Sequence, residues 1–312
     1  MNARRHRGLT LIDVVVTLGV MALLLGGAIA ARERLRQADA VTECIANLVQ
    51  IHTALTAYAA ANDGQFPRTR ATPGAPLAAY TAPDAADPFA ADGPAVNDVT
   101  AAAFLLAREN GLSAHAFICP SALRNGLAET DTFTGGDVRR RSNFRARINY
   151  NYSLINVYAE PFGGPGGFAR ARAANVAIAA DTNPGDETSN PSTQRSHAQA
   201  RNANSPNHRR DGQNVLFADG TAQFVATPYN LGGDASFYAS AGTFPWPASA
   251  SDSVLVPVWS DGPQLTPTAV KLRRWTFVGA VAFALVMIGI PVVQSLRRSR
   301  RVSSAPSPSG GG

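Results

Sequence analysis

The sequence predicts an α+β fold: a long N-terminal helix packed on a small antiparallel sheet, with an additional C-terminal transmembrane helix. Three observations predict it. An apolar run near the start passes directly into a helical stripe, short strand patterns separated by turn residues fill the middle, and a second charge-free apolar run lies near the end. At 312 residues the chain can bury a sizeable core in one or two domains.

The first apolar run covers residues 9–31, LTLIDVVVTLGVMALLLGGAIAA, with Asp13 as its only charge. At about 1.5 Å per residue it is long enough to cross roughly 30 Å of hydrocarbon. An ordinary secretory signal with Ala28-Ile29-Ala30 as its cleavage site is the simpler alternative. Against it, the run exceeds a usual signal core, and helical patterning continues past the point where cleavage would fall.

Beyond Ala31, Val41, Cys44, Leu48, Ile51, Leu55 and Tyr58 recur at steps of three and four, with Ile45 widening the stripe. Residues 32–62 are therefore expected to continue the helix as an amphipathic half, for a total on the order of 80 Å. Asn62-Asp63-Gly64 and Pro67 stop it.

Residues 63–270 are expected to form the α+β domain. Its first part, 67–98, is rich in Pro, Ala and Asp and reads as loop, and 99–110 reads as a short helix closed by Gly111. Strands are expected at 148–155, 175–180, 214–217 and 221–226, the last two joined by a turn at Ala218-Asp219-Gly220. The second membrane helix is expected at 275–293, followed by a basic stretch and a disordered Ser/Pro/Gly tail over 294–312.

Charge decides the class of partner. The chain holds 28 basic and 22 acidic residues, a net of +6. Ten of the basic residues flank the apolar runs: Arg4, Arg5, Arg7, Lys271, Arg273, Arg274, Arg297, Arg298, Arg300 and Arg301. Setting them aside leaves 18 basic against 22 acidic residues, so the body is mildly acidic and nucleic acid is not the expected partner. Basic flanks beside apolar spans report membrane orientation instead. They place both termini in the cytoplasm and the domain outside the inner membrane.

Two cysteines, Cys44 on the helical stripe and Cys119 in FICPS, would both lie where disulfides persist, so a Cys44–Cys119 bridge is expected. With two cysteines and no CxxC pair there is no zinc motif. Asp181, Asp211 and Asp219 are calcium candidates, weighed against the simpler reading of DG as a turn. There is no nucleophile elbow, HExxH or Walker loop, and no enzyme activity is expected. The Arg-rich stretches 139–147 and 195–210 read as solvated surface.

The order of basic residues, Gly8 and then LTLID resembles the prepilin cleavage and methylation signal of type IV pilins and type II secretion pseudopilins. That resemblance implies cleavage by a prepilin peptidase after Gly8 and methylation of the new N-terminus, Leu9. The family's usual Phe and fifth-position Glu are Leu9 and Asp13 here. The resemblance gives Asp13 the role of registering subunits, a carboxylate in lipid being costly unless paired. Residues 43–67, FICPS, NVAIAADTNP and SPNHRRDGQNVLFADGTAQF further resemble the bacterial pilin-like family named for its H-X9-DG domain. His208 precedes Asp219-Gly220 with ten intervening residues, one more than the name specifies.

The resemblance implies a pseudopilin-like structural or accessory component of a type IV pilus or type II secretion-like assembly. Its partners would be prepilin peptidase, other pilin-like subunits or secretion-machinery proteins, and the membrane. The second apolar run departs from an ordinary pilin. It keeps open a membrane-anchored envelope domain that binds a ligand or protein, with calcium as a candidate cation, without entering a filament.

Overall fold

The computed structural model describes residues 11–133, 136–185, 203–231 and 234–258. The leader with Gly8 and Leu9, the second apolar run and the C-terminal tail lie outside them. Two compact units are distinguished, one holding the residues up to Ala31 and the other Arg32–Gly262.

The helix α1 runs from Leu11 to Ala61 without a break. Its first 21 residues extend about 31 Å at the α-helical rise. In this half Ile12, Leu23, Leu24 and Leu25 are each more than three-fifths exposed. None of its most apolar 18-residue window is buried, and by length and composition it can cross a membrane. Asp13 lies in the first turn, where its carbonyl accepts from Thr17 Oγ1 at 2.6 Å.

From Ala40 the same helix belongs to a folded core. Cys44, Leu48, Ile51, Leu55 and Tyr58 are buried, the expected stripe, with Ala54 and Ala59 beside it. Each large apolar side chain so removed from water contributes about 1.5–3 kcal/mol.

The other elements of this unit are α2 (Val99–Asn110), α3 (Pro120–Arg124), β1 (Tyr152–Ile155), α4 (Gly167–Ala174), β2 (Ala177–Asp181), β3 (Gln213–Phe217), β4 (Ala222–Val225), β5 (Tyr229–Leu231), β6 (Asp234–Ser236) and β7 (Leu255–Val256). Five strands form an antiparallel sheet in the order β4-β3-β2-β1-β7, and β5 pairs with β6. The protein is thus α+β, with one long apolar N-terminal helix and a small antiparallel sheet.

Helix α2 matches its expected range and is buried from Val99 to Ala107, as its VTAAAFLLA composition requires. Asp98 caps it by accepting from the Thr100 and Ala101 amides, and Gly111 closes it at φ 68°. The other Asp98 oxygen accepts from Thr81 and Asn143, fastening the 67–98 loop to the helix start.

Three expectations are corrected, the first being that 195–210 is solvated surface: Asn204, Ser205, Asn207 and His208 are buried. Strand β1 begins at Tyr152 rather than 148, because Arg147–Asn149 forms a 3-10 turn. The 139–147 stretch is not uniformly solvated surface either. Arg141 is buried, grips Asp131 through two hydrogen bonds of 2.8 and 2.9 Å, and lies over the Phe104 and Phe133 rings. Burial opposes ionisation of Asp131, but the Arg141 guanidinium holds its carboxyl below the usual range. A run of arginines does not disclose which member has an acid ten residues away.

Candidate functional site

Four side chains from distant parts of the chain converge in the interior. Cys44 comes from the buried half of α1, Cys119 from the residue before α3, Asp181 from the end of β2 and His208 from the loop before β3. Their Sγ, Sγ, carboxylate and imidazole atoms all lie within 4.8 Å of one another, and all four residues are buried.

Cys44 Sγ and Cys119 Sγ stand 2.6 Å apart, closer than unbonded sulfurs ordinarily approach, and both are free thiols. The two residues expected to bridge are therefore neighbours. Burial pushes both thiols above their ordinary pKa, so in isolation neither is a ready nucleophile. His208 Nε2 is 3.4 Å from Cys119 Sγ and 3.1 Å from Asp181 Oδ2.

Asp181 is completely buried and heavily hydrogen-bonded. Its Oδ1 accepts from Asn207 Nδ2 at 2.9 Å. Its Oδ2 accepts from the Asn214 amide at 2.6 Å and Asn214 Nδ2 at 3.1 Å. Burial opposes its charge, yet the His208 charge and these donors hold it below the usual carboxylate range. Burial likewise opposes charge on His208, but Asp181 wins and pushes it up to about 10. His208 and Asp181 are thus a tightly coupled buried pair in which each favours the charged form of the other.

The local sequence explains how His208 reaches this point. Arg209 and Arg210 adopt left-handed backbone at φ 59° and 61°, and the Asp211 amide bonds back to the His208 carbonyl at 3.0 Å. Asn204 Nδ2 bonds to the Ala226 carbonyl and the Ser205 amide to Gln213 Oε1, holding the loop against the β3–β4 hairpin.

The Asp219-Gly220 half of the motif sits elsewhere. Gly220, at φ 93°, turns the chain between β3 and β4, and a Cβ there would come within 3.0 Å of His52 on α1. The turn's positive φ favours glycine, and a side chain there would also crowd His52. The H-to-DG segment therefore meets α1 at more than one point, with Arg209 paired to Glu33 and Gly220 against His52.

The three calcium candidates do not come together. Asp181 lies at the end of β2 paired beside Asn214, whereas Asp219 follows the far end of β3. Asp219 is exposed and caps its own turn by accepting from the Thr221 amide at 2.8 Å, which lowers its pKa. Asp211 is exposed in the His208 loop. Nothing in the sequence links the cysteines to the acids or marks Asn207 and Asn214. FICPS holds Cys119, NVAIAADTNP holds Asp181, and SPNHRRDGQN holds His208 with Asn207 and Asn214, and this grouping is the signal the sequence offers.

No solvent-facing catalytic arrangement accompanies the cluster among the described residues. A cavity in the core is lined by Leu55, Phe66, Val99, Leu154, Ile178 and Val256 with other apolar neighbours, and offers no charged group to orient a substrate. Comparison with known proteins adds no identification: no family model matches the sequence, and neither a curated protein nor a solved structure matches it. What the fold and site define is an α+β domain on an apolar N-terminal helix, with a buried cysteine–histidine–aspartate cluster where that helix meets the sheet.

Proposed function

We propose that this chain is a pilin-like envelope protein, a structural or accessory component of a type IV pilus or type II secretion-like assembly. The reading is supported chiefly by the division of α1: its first half exposes apolar side chains, and its second half is a seam of the domain core. A helix built this way can anchor in lipid, or pack against like helices, while carrying a rigid domain. Processing after Gly8 by prepilin peptidase, an inner-membrane anchor and a periplasmic domain belong to the same proposal. The second apolar run, 275–293, supplies the specific observation for the other reading, a membrane-resident binding domain that never leaves the bilayer. No catalysis is assigned.

Asp13 provides the test. Its carboxylate would pair with the methylated amino terminus of a neighbouring subunit, an interaction needed in an assembly and unnecessary in a lone anchor. Asp13→Ala should leave membrane insertion intact and abolish recovery of the protein in sheared surface filaments or in cross-linked complexes with pilin-like partners. Recovery equal to wild type would count against subunit registration by Asp13.

A further inference from the structure

We propose that Cys44, Cys119, His208 and Asp181 form a tetrahedral binding site for a thiophilic divalent cation, zinc by its chemistry. Two thiolates, one imidazole nitrogen and one carboxylate oxygen are a complete four-donor zinc set. The inference stands on this cluster and does not depend on the pilin reading.

Geometry carries it furthest. Zinc–sulfur bonds of about 2.3 Å and zinc–nitrogen or zinc–oxygen bonds of about 2.0–2.2 Å require donor atoms roughly 3.3–3.8 Å apart. Cys119 Sγ to His208 Nε2 is 3.4 Å and His208 Nε2 to Asp181 Oδ2 is 3.1 Å, so two edges of the tetrahedron nearly exist. The sulfur–sulfur edge of 2.6 Å must open by about 1 Å on binding.

The surroundings fit a metal shell. Asn207 and Asn214 orient the Asp181 carboxylate, the role that hydrogen-bond donors play behind metal ligands. Both amides are completely buried, and Asn214 Nδ2 also lies 2.9 Å from His208 Nε2, so the same side chain lies against two of the donors.

Binding is proton-coupled. The two thiol protons and the Nε2 proton of His208 leave to solvent, and the cation takes their places against two thiolates, a neutral imidazole and a carboxylate. No electron is transferred. A covalent bond between the sulfurs would remove both thiolate ligands, so bridge and metal exclude one another.

The test uses the full chain in mild detergent, reduced without oxygen and titrated with cobalt(II). The expected result is one cobalt per chain, with intense sulfur-to-cobalt charge-transfer absorption and tetrahedral visible bands, both erased by added zinc. Cys119→Ser should weaken binding at least tenfold and remove about half of the charge-transfer intensity, and Cys44→Ser should behave alike. If either variant fails to fold, the wild-type spectrum decides alone. Reduced, folded wild type that takes no cobalt, or takes it without sulfur charge transfer, overturns the proposal. A Cys44–Cys119 disulfide that resists reduction in the folded protein overturns it as well.

Discussion

Replacing Asp181 by asparagine should destabilise the domain by about 3–5 kcal/mol, the usual cost of breaking a buried ion pair from one side. The substitution leaves His208 without its counter-charge and places an amide N–H among donors from Asn207 and Asn214. The measurement is urea unfolding of the full chain in detergent, with chelator present so that only the protein's own contacts are compared. Near-ultraviolet circular dichroism of the buried Tyr150, Tyr152 and Tyr238 reports loss of the core.

The pH dependence of this pair has a definite sign. His208 titrates near 10 in the fold against an ordinary 6.5. Its contribution is therefore complete below about 6.5 and is lost progressively as pH rises towards 10. The depressed Asp181 contributes fully above its ordinary 3.8 and loses that contribution as pH falls below it. Wild type should weaken between pH 6.5 and 10, and Asp181→Asn should show a markedly flatter profile over the same range. Equal stability of the two proteins at pH 6 would remove the ion pair from the account.

Truncating Leu48 to alanine should cost a further independent 2–5 kcal/mol, about the range for emptying a packed core site. Leu48 is completely buried at the centre of the α1 stripe, whereas the adjacent Val49 is 43% exposed. Val49→Ala should change stability by less than about 0.5 kcal/mol. The contrast tests whether the second half of α1 is an integral wall of the domain. Similar small effects of both substitutions would mean that the helix merely leads into the fold.

Much of this architecture was legible because it rests on periodicity and turn chemistry. The alternating three- and four-residue steps from Cys44 to Tyr58 mark the buried face of α1, and α2 spans the range that its apolar run and closing glycine define. The β3–β4 hairpin follows from glycine at a position that needs positive φ. What the sequence withheld is tertiary. Arg141 stands in an arginine run like its solvated neighbours, and only folding brings Asp131 and two phenylalanines around it.

The cluster was hidden for a related reason. Spacing rules recognise metal ligands that share one loop or hairpin, but these four are contributed at positions 44, 119, 181 and 208. Neither cysteine has a near partner in sequence, and Asp181 reads as a calcium candidate alongside Asp211 and Asp219, with nothing to tie it to the thiols. The asparagines that fix its carboxylate carry no periodic signal at all. The expected Cys44–Cys119 bridge is not present, both being free thiols, but the two sulfurs are neighbours and His208 and Asp181 stand beside them.

Intact mass of the mature protein, isolated from membranes of cells with an active prepilin peptidase, tests the central claim most directly. The pilin-like account predicts a chain beginning at Leu9, lighter by residues 1–8 and heavier by one methyl group on its amino terminus. A chain that keeps its leader, or one cut near Ala30, contradicts it.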